Sequence, residues 1–142
     1  MLDAGATAAF NHRADNYIDS VRAVFPSGYN VCIEMLASTN LGVDLPLMAV
    51  NGRVAVVGSR GTVTINPRDM MTRELEVYGV TLFQSTPEDL AMAAKFINEH
   101  LASGALDPVV SQVLPLEEAS VSHEEVISRQ NLNAGNIVLV PE

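Results

Sequence analysis

The segment Gly58-Ser59-Arg60-Gly61 contains the residue types that bind an anionic ligand through main-chain groups. It follows residues 54–57 (Val-Ala-Val-Val), whose β-branched side chains are typical of a strand buried on both faces of a parallel sheet. Because ligands of open α/β sheets bind at the carboxyl edge, this turn could hold a nucleotide-type cofactor while Arg60 contacts a phosphate or stacks on a ring. A plain strand-to-loop turn is the alternative, and the residue types alone favour it.

Three further places in the chain could contact the same ligand. His12 follows residues 8–10, a predicted strand end, and could face the ligand, although the residue types alone strongly favour a solvated loop. Asn40 follows the second predicted strand and could bind a ligand or cap a helix. Residues 80–83 (Val-Thr-Leu-Phe) could present main-chain groups to a flat ring or could be core strand.

Several familiar site motifs are absent from the sequence. It contains neither a P-loop nor a Gly-x-Gly-x-x-Gly fingerprint. Its single cysteine, Cys32, and three scattered histidines form no tetrahedral zinc pattern. Ser59 lacks the strand-turn-helix context of a nucleophile elbow. We therefore expect no metal site and assign no catalytic residue.

The elements that would position these residues alternate between strand and helix, which predicts an α/β fold with a parallel sheet. Residues 37–40 are predicted to form a polar turn, Pro46 to delay or kink a helix, and Asn51-Gly52 to turn the chain before the third strand. The clearest helix spans 87–103, where Thr86 and Asp89 form a capping-box pattern. Strands are predicted at 31–36, 54–57, 77–82, 109–114 and 136–140, and further helices at 15–25, 67–71 and 117–129.

Composition limits the class of protein. A chain of 142 residues has the length of an ordinary domain, and 48% of its residues are hydrophobic. The formal net charge of −9 disfavours nucleic-acid binding. The single Cys32 permits no internal disulfide, and no segment reads as a membrane helix or a signal peptide. We expect a cytoplasmic protein without membrane or nucleic-acid partners.

Five segments together resemble the quinone oxidoreductase (zeta-crystallin) family of the medium-chain dehydrogenase/reductase superfamily. They are 10–13 (Phe-Asn-His-Arg), 33–37 (Ile-Glu-Met-Leu-Ala), 57–62 (Val-Gly-Ser-Arg-Gly-Thr), 65–69 (Ile-Asn-Pro-Arg-Asp) and 79–83 (Gly-Val-Thr-Leu-Phe). The resemblance covers nearly all of this chain but only about the second half of the family protein. It implies a partial Rossmann-like parallel sheet that lacks its first two strands. Residues 1–84 would complete the nucleotide-binding domain, and 85–142 would belong to the catalytic domain.

The resemblance also implies a function: zinc-independent reduction of a quinone by NADPH, with catalysis resting mostly on placement of the cofactor. Because the glycine-rich turn and the quinone side are missing, we expect weak cofactor binding and little activity from this chain alone. The alternative is a non-catalytic nucleotide-binding or oligomerisation module. The residues implied at the cofactor are His12, Asn40, Val57, Gly58, Ser59, Arg60, Val80, Thr81, Leu82 and Phe83.

The resemblance leaves strand edges without neighbours. Residues 31–34 would become an exposed apolar edge, which invites pairing with another chain. The expected partners are a second copy of this chain or the missing amino-terminal half.

Overall fold

The computed structural model describes residues 1–128 and 135–141. It is an α/β structure with parallel sheets, which confirms the predicted fold class. The chain divides into two compact units, Met1–Gln84 and Ser85–Glu142. Among the helices described, none is long and apolar enough to cross a membrane.

The first unit is built on a three-stranded parallel sheet in the order β1-β2-β3. Since all three strands run the same way, their carboxyl ends lie at one edge of the sheet. Strand β1 pairs only with β2 among the described residues, so its other side is open. The elements are α1 (Tyr17–Val24), β1 (Tyr29–Glu34), α2 (Ala37–Asp44), β2 (Met48–Val56), α3 (Pro67–Met71) and β3 (Glu76–Gly79).

The core of this unit lies around strand β2. Leu45, Met48 and Val54 are almost completely buried, and Val54 has no exposed surface. Tyr29, Leu41, Val56, Ile65 and Val77 pack against them from the flanking elements. The apolar run that predicted the third strand is therefore the centre of the core, as its composition indicated.

Three local predictions for this unit are wrong. Residues 8–10 form no strand; the Phe10 ring packs instead against Tyr17 and Phe25, at centroid distances of 6.5 and 6.3 Å. Residues 37–40 are the first turn of α2 rather than a polar turn. Helix α2 starts earlier than predicted, at Ala37, and ends at Asp44. It ends before Pro46 because proline cannot donate the next helical hydrogen bond. Pro46 lies instead in the 3₁₀ turn Leu45–Leu47.

Two more differences concern strands β2 and β3. Strand β2 begins at Met48, and Asn51, with φ 60°, lies inside it where the register against β1 shifts. The predicted turn is thus a bulge within a longer strand. Strand β3 ends at Gly79, three residues earlier than predicted, and the chain continues into the 3₁₀ turn Leu82–Gln84.

Within residues 85–128 and 135–141, the second unit contains two α-helices and a two-stranded parallel sheet, β4-β5. The predicted capping box is confirmed: the Thr86 hydroxyl accepts the Asp89 N–H, and the Asp89 carboxylate accepts the Thr86 N–H. Gly104, with φ 74°, ends the helix in the left-handed conformation. Arg129, the predicted end of the last helix, lies outside the described residues. The elements are α4 (Pro87–Ser103), β4 (Val110–Pro115), α5 (Ala119–Ser128) and β5 (Asn136–Val140).

Candidate functional site

The carboxyl edge of the first sheet is held together by main-chain hydrogen bonds between β1 and β2. The carbonyl oxygen of Glu34 accepts the N–H groups of Val57 and Gly58, at 2.8 and 3.2 Å. The Gly58 carbonyl then accepts the Ala37 N–H, at 2.9 Å. The turn that follows β2 is therefore fixed to the start of α2.

Gly58 is required by close packing of the backbone at this edge. A Cβ atom placed on Gly58 would overlap the carbonyl oxygen of Met35. The glycine thus allows β2 to leave the sheet against the end of β1, and its lack of a side chain is explained without a ligand.

The turn Ser59-Arg60-Gly61 exposes main-chain donors. The N–H groups of these three residues make no hydrogen bond within the described part of the chain. The Ser59 hydroxyl donates to the Gly61 carbonyl, at 3.2 Å, and closes the turn. The Arg60 side chain is exposed and makes no ion pair with the described residues. Unpaired N–H groups beside a guanidinium are suited to an anion such as a phosphate.

The end of β3 adds an apolar surface next to this turn. The Val80 N–H donates to the Val56 carbonyl, at 2.9 Å, so the end of β3 lies beside that of β2. The side chains of Val57 and Val80 are each 42% exposed. Thr81, Leu82 and Phe83 are exposed as well, and Phe83 is 97% exposed. These residues can form the side of a cleft, but an additional surface would have to cover them.

The remaining two predicted residues differ in their positions. Asn40 lies inside α2, where its side-chain amide donates to the Glu34 carboxylate, at 3.2 Å. It is therefore neither a helix cap nor an unpaired ligand group. His12 is exposed in the turn before α1, and no hydrogen bond in the described residues joins it to the carboxyl edge. Hydrogen bonds connect Asn40, residues 57–58 and Val80 at this edge, and none among the described residues connects His12 to them.

A pair of carboxylates beneath this edge was missed by the sequence analysis. Glu34, at the end of β1, is 5% exposed, and its carboxylate accepts the Leu36 N–H and the Asn40 amide. Asp44, at the end of α2, has a ligand oxygen within 4.8 Å of that carboxylate and of the Cys32 sulfur. The position of Glu34 inside the apolar run 31–36 could have indicated such a pair, because a charged side chain is rarely buried without a partner.

The protonation of this pair is set by burial and by mutual repulsion. Burial, then the hydrogen bond with Glu34 and the Glu34 charge, raise the pKa of Asp44 to about 7. Burial alone would raise the pKa of Glu34, but hydrogen bonds from Asp44, Leu36 and Asn40 lower it below its usual value. Glu34 is therefore ionised at neutral pH, and Asp44 is the member that holds the proton.

The group Cys32, Glu34 and Asp44 does not fit a zinc ion. Burial, followed by the charges of Asp44 and Glu34, raises the pKa of the Cys32 thiol to about 11, whereas zinc binds the thiolate. The Glu34 carboxylate is already engaged by two donors. The group also provides no imidazole.

A separate cavity lies at the opposite, amino edge of the first sheet. Its volume is about 540 Å³, and its lining includes Arg22, Phe25, Met48 and Arg73. The Arg73 guanidinium donates to the carbonyl oxygens of Pro46 and Asp69, at 3.2 and 3.3 Å. None of the predicted cofactor residues lines this cavity, so it is not part of the candidate site.

Comparisons with known proteins identify similar chains. A family model described as zinc-binding dehydrogenase matches residues 1–99. The human quinone oxidoreductase is 43% identical over 141 residues, which cover 99% of this chain and 43% of the human protein. The chain thus spans less than half the length of this relative.

Solved structures with the same fold include dehydrogenases and reductases. AibC is 31% identical, with a TM-score of 0.79, over 99% of this chain and 38% of its own. The structure of CurA from Vibrio vulnificus in complex with NADPH has a TM-score of 0.74 at 16% identity, and the match covers 97% of this chain and 44% of CurA. The likeness to CurA supports the fold alone.

Proposed function

The chain belongs to the zinc-binding dehydrogenase family of the medium-chain dehydrogenase/reductase superfamily, and from this premise we propose that it provides one wall of the NADPH site of a quinone oxidoreductase. Residues 1–84 are the carboxyl-terminal part of the nucleotide-binding domain in this proposal, and 85–142 are a segment of the catalytic domain. The similarity to the human quinone oxidoreductase supports the substrate class. NADPH is proposed as the cofactor from the resemblance to the quinone oxidoreductase family, and CurA shows that a protein of this fold can bind NADPH.

The observation that carries the proposal is the turn Ser59-Arg60-Gly61. It offers three N–H groups that bond no described residue, and an exposed guanidinium, at the carboxyl edge of a parallel sheet. In open α/β sheets this edge is where cofactors bind. The N–H groups and Arg60 would bind an anionic part of NADPH, because charge-assisted hydrogen bonds to phosphate are strong.

The apolar side chains beyond the turn would hold the ring end of the cofactor. Val57 and Val80 are half-exposed at adjacent strand ends, and a flat ring would remove both from water. Thr81, Leu82 and Phe83 continue this surface. Asn40 would act from α2 through Glu34, and His12 is proposed to approach the cofactor from the turn before α1.

The proposed mechanism consists of placement. Bound NADPH would supply the reducing equivalent for the quinone, as cofactors do in such enzymes. The residues of this chain would orient the nicotinamide end and exclude water on one side. No side chain at the edge is assigned to proton transfer. Because the exposed wall needs a cover, full activity is proposed to require an amino-terminal half of the kind that the longer relatives contain.

Replacing Arg60 by alanine tests the proposal. We expect R60A to weaken NADPH binding by about tenfold, because a hydrogen bond to a charged group contributes about 1.5–3 kcal/mol. Isothermal titration with NADPH measures the Kd. The control is Arg68→Ala, which removes an equally exposed guanidinium from α3. Equal losses in R60A and R68A would remove the Ser59–Gly61 turn from the site.

An assembly module is the second candidate function, and the open side of β1 favours it. Val31 and Ile33 are 60% and 62% exposed on the face of β1 opposite Cys32 and Glu34, and Met35, directly after the strand, is 64% exposed. An apolar edge strand pairs readily with another chain. The proposed partner is either a second copy of this chain or the amino-terminal half. The proposed compartment is the cytoplasm.

A lysine at the centre of this strand should block such pairing. We expect Ile33→Lys to weaken self-association at least about tenfold, since a charge on an edge strand opposes strand addition. Sedimentation velocity over a concentration series gives the association constant. Ile127→Lys, which adds the same charge at a residue 80% exposed on α5, is the control. If wild type and I33K are both monomers, the copy–copy interface is excluded and the amino-terminal half remains the proposed partner.

A further inference from the structure

Glu34 connects the three segments that form the candidate cofactor edge. Its carbonyl oxygen accepts the Val57 and Gly58 N–H groups, which fixes the end of β2. Its carboxylate accepts the Leu36 N–H and the Asn40 amide, which fixes the start of α2. Movement of this side chain would therefore displace the start of α2, and the Ala37 N–H at that start also holds the Gly58 carbonyl of the turn after β2.

Asp44 places a second carboxyl group against Glu34. One of its oxygens, Oδ2, is buried and has no hydrogen-bond partner within the described residues. Its carboxyl group lies within 4.8 Å of the Glu34 carboxylate. Two carboxylates at this distance in a partly buried site cannot both ionise without strong repulsion, and one proton between them removes it. A proton on Asp44 also gives a buried oxygen a hydrogen-bonding role.

The groups around the pair do not neutralise a second negative charge. In the part of the chain that the structure describes, burial and then the charge of Asp44 raise the pKa of Tyr17 from α1 and of Tyr29 and Cys32 from β1. Burial is the largest cause that raises the pKa of each of the three, so they remain neutral where Asp44 titrates. Loss of the Asp44 proton would therefore leave two facing carboxylates without a cation among these neighbours.

We propose that Glu34 and Asp44 share one proton and act together as positioning residues for the cofactor edge. In the protonated pair the Asp44 hydroxyl donates to the Glu34 carboxylate and joins the end of α2 to the end of β1. When the proton leaves to solvent, two like charges face each other, α2 is pushed from β1, and the Asn40 contact weakens. The effect on NADPH rests on the proposed function, whereas the proton sharing does not.

The direction of the pH effect follows from proton binding. The folded chain keeps the Asp44 proton up to about pH 7, whereas an unfolded aspartate loses it near its ordinary pKa of 3.8. Between these values the folded state binds more protons, so stability falls as pH rises. The loss is complete above the folded pKa. NADPH binding at the carboxyl edge should weaken as the pH rises through about 7, where Asp44 loses its proton.

Asp44→Asn tests the proposal, because asparagine keeps a donor to Glu34 and cannot ionise. Between about pH 6 and about pH 8, we expect the Tm of the wild-type chain to fall by several degrees and its affinity for NADPH to weaken about three- to tenfold. The D44N chain should show neither change, whereas the control Asp107→Asn, at an exposed aspartate, should keep the wild-type pH dependence. In infrared difference spectra, the carbonyl band of a protonated carboxyl group should be present in wild type near pH 6 and absent in D44N.

The outcomes separate this proposal from the proposed function. If D44N keeps the wild-type slope of Tm against pH, or if wild type lacks the protonated-carboxyl band, the proton sharing is refuted. If the band and slope are as expected but NADPH does not bind at any pH, the pair is real and the proposed function fails. Should D44N not fold, the infrared titration of the wild-type chain decides alone.

Discussion

Gly58→Ala is expected to lower the free energy of unfolding by about 2–3 kcal/mol and to abolish measurable NADPH binding. The added methyl group would overlap the Met35 carbonyl oxygen, and backbone on both sides must move to admit it. That movement would break the bonds from Val57 and Gly58 to the Glu34 carbonyl and from Ala37 to the Gly58 carbonyl. The Ser59–Gly61 turn would then lose its fixed position.

Gly61→Ala is the matched control for this prediction. A Cβ atom on Gly61 meets only the Ser38 Cβ, at 3.7 Å, which is an ordinary contact. Its effect on stability should stay within about 1 kcal/mol. Urea denaturation followed by tyrosine fluorescence gives both values, and titration with NADPH gives the binding. A G58A chain as stable as G61A would show that β1 and β2 do not meet as described.

The strands and their order of appearance could be predicted from the sequence because apolar β-branched runs identify buried parallel strands. Residues 54–57 became the centre of the first unit's core, and the capping box at Thr86 formed as its spacing indicated. Predictions failed where short polar segments were judged alone. Residues 37–40 read as a turn, yet they form helix because Leu41 and Leu45 pack onto the core.

The candidate site, too, could be predicted from the sequence only in part. The turn 58–61 was recognisable since glycines after a buried strand mark a close backbone approach. The structural reason for a glycine at position 58 differs from the expected one. The backbone of Gly58 packs closely against the Met35 carbonyl oxygen, and this contact requires no cofactor. Glu34 and Asp44 could not be paired from the sequence, because ten positions separate them and only the packing of α2 on β1 brings them together.

Leu45→Ala is the other substitution with a large expected effect. We expect it to lower the free energy of unfolding of the first unit by about 2–5 kcal/mol. Leu45 is 1% exposed and packs with Met48 and Val54 in the small core on which β2 and α2 rest. A unit of this size has a total stability of only roughly 4–12 kcal/mol, so L45A should unfold much of it under mild conditions. Because Leu45 follows Asp44 directly, the loss should also release α2 and Asn40 from the carboxyl edge of the sheet.

The tyrosines allow the two units to be followed separately in this experiment. All three of them, Tyr17, Tyr29 and Tyr78, lie in the first unit. Their fluorescence should therefore report the loss in L45A, while Leu101→Ala, at a residue 42% exposed in α4, should leave the tyrosine transition unchanged. An L45A transition that coincides with that of wild type would mean that α2 is not anchored through the core. The carboxyl edge would then depend on the hydrogen bonds of Glu34 rather than on the core.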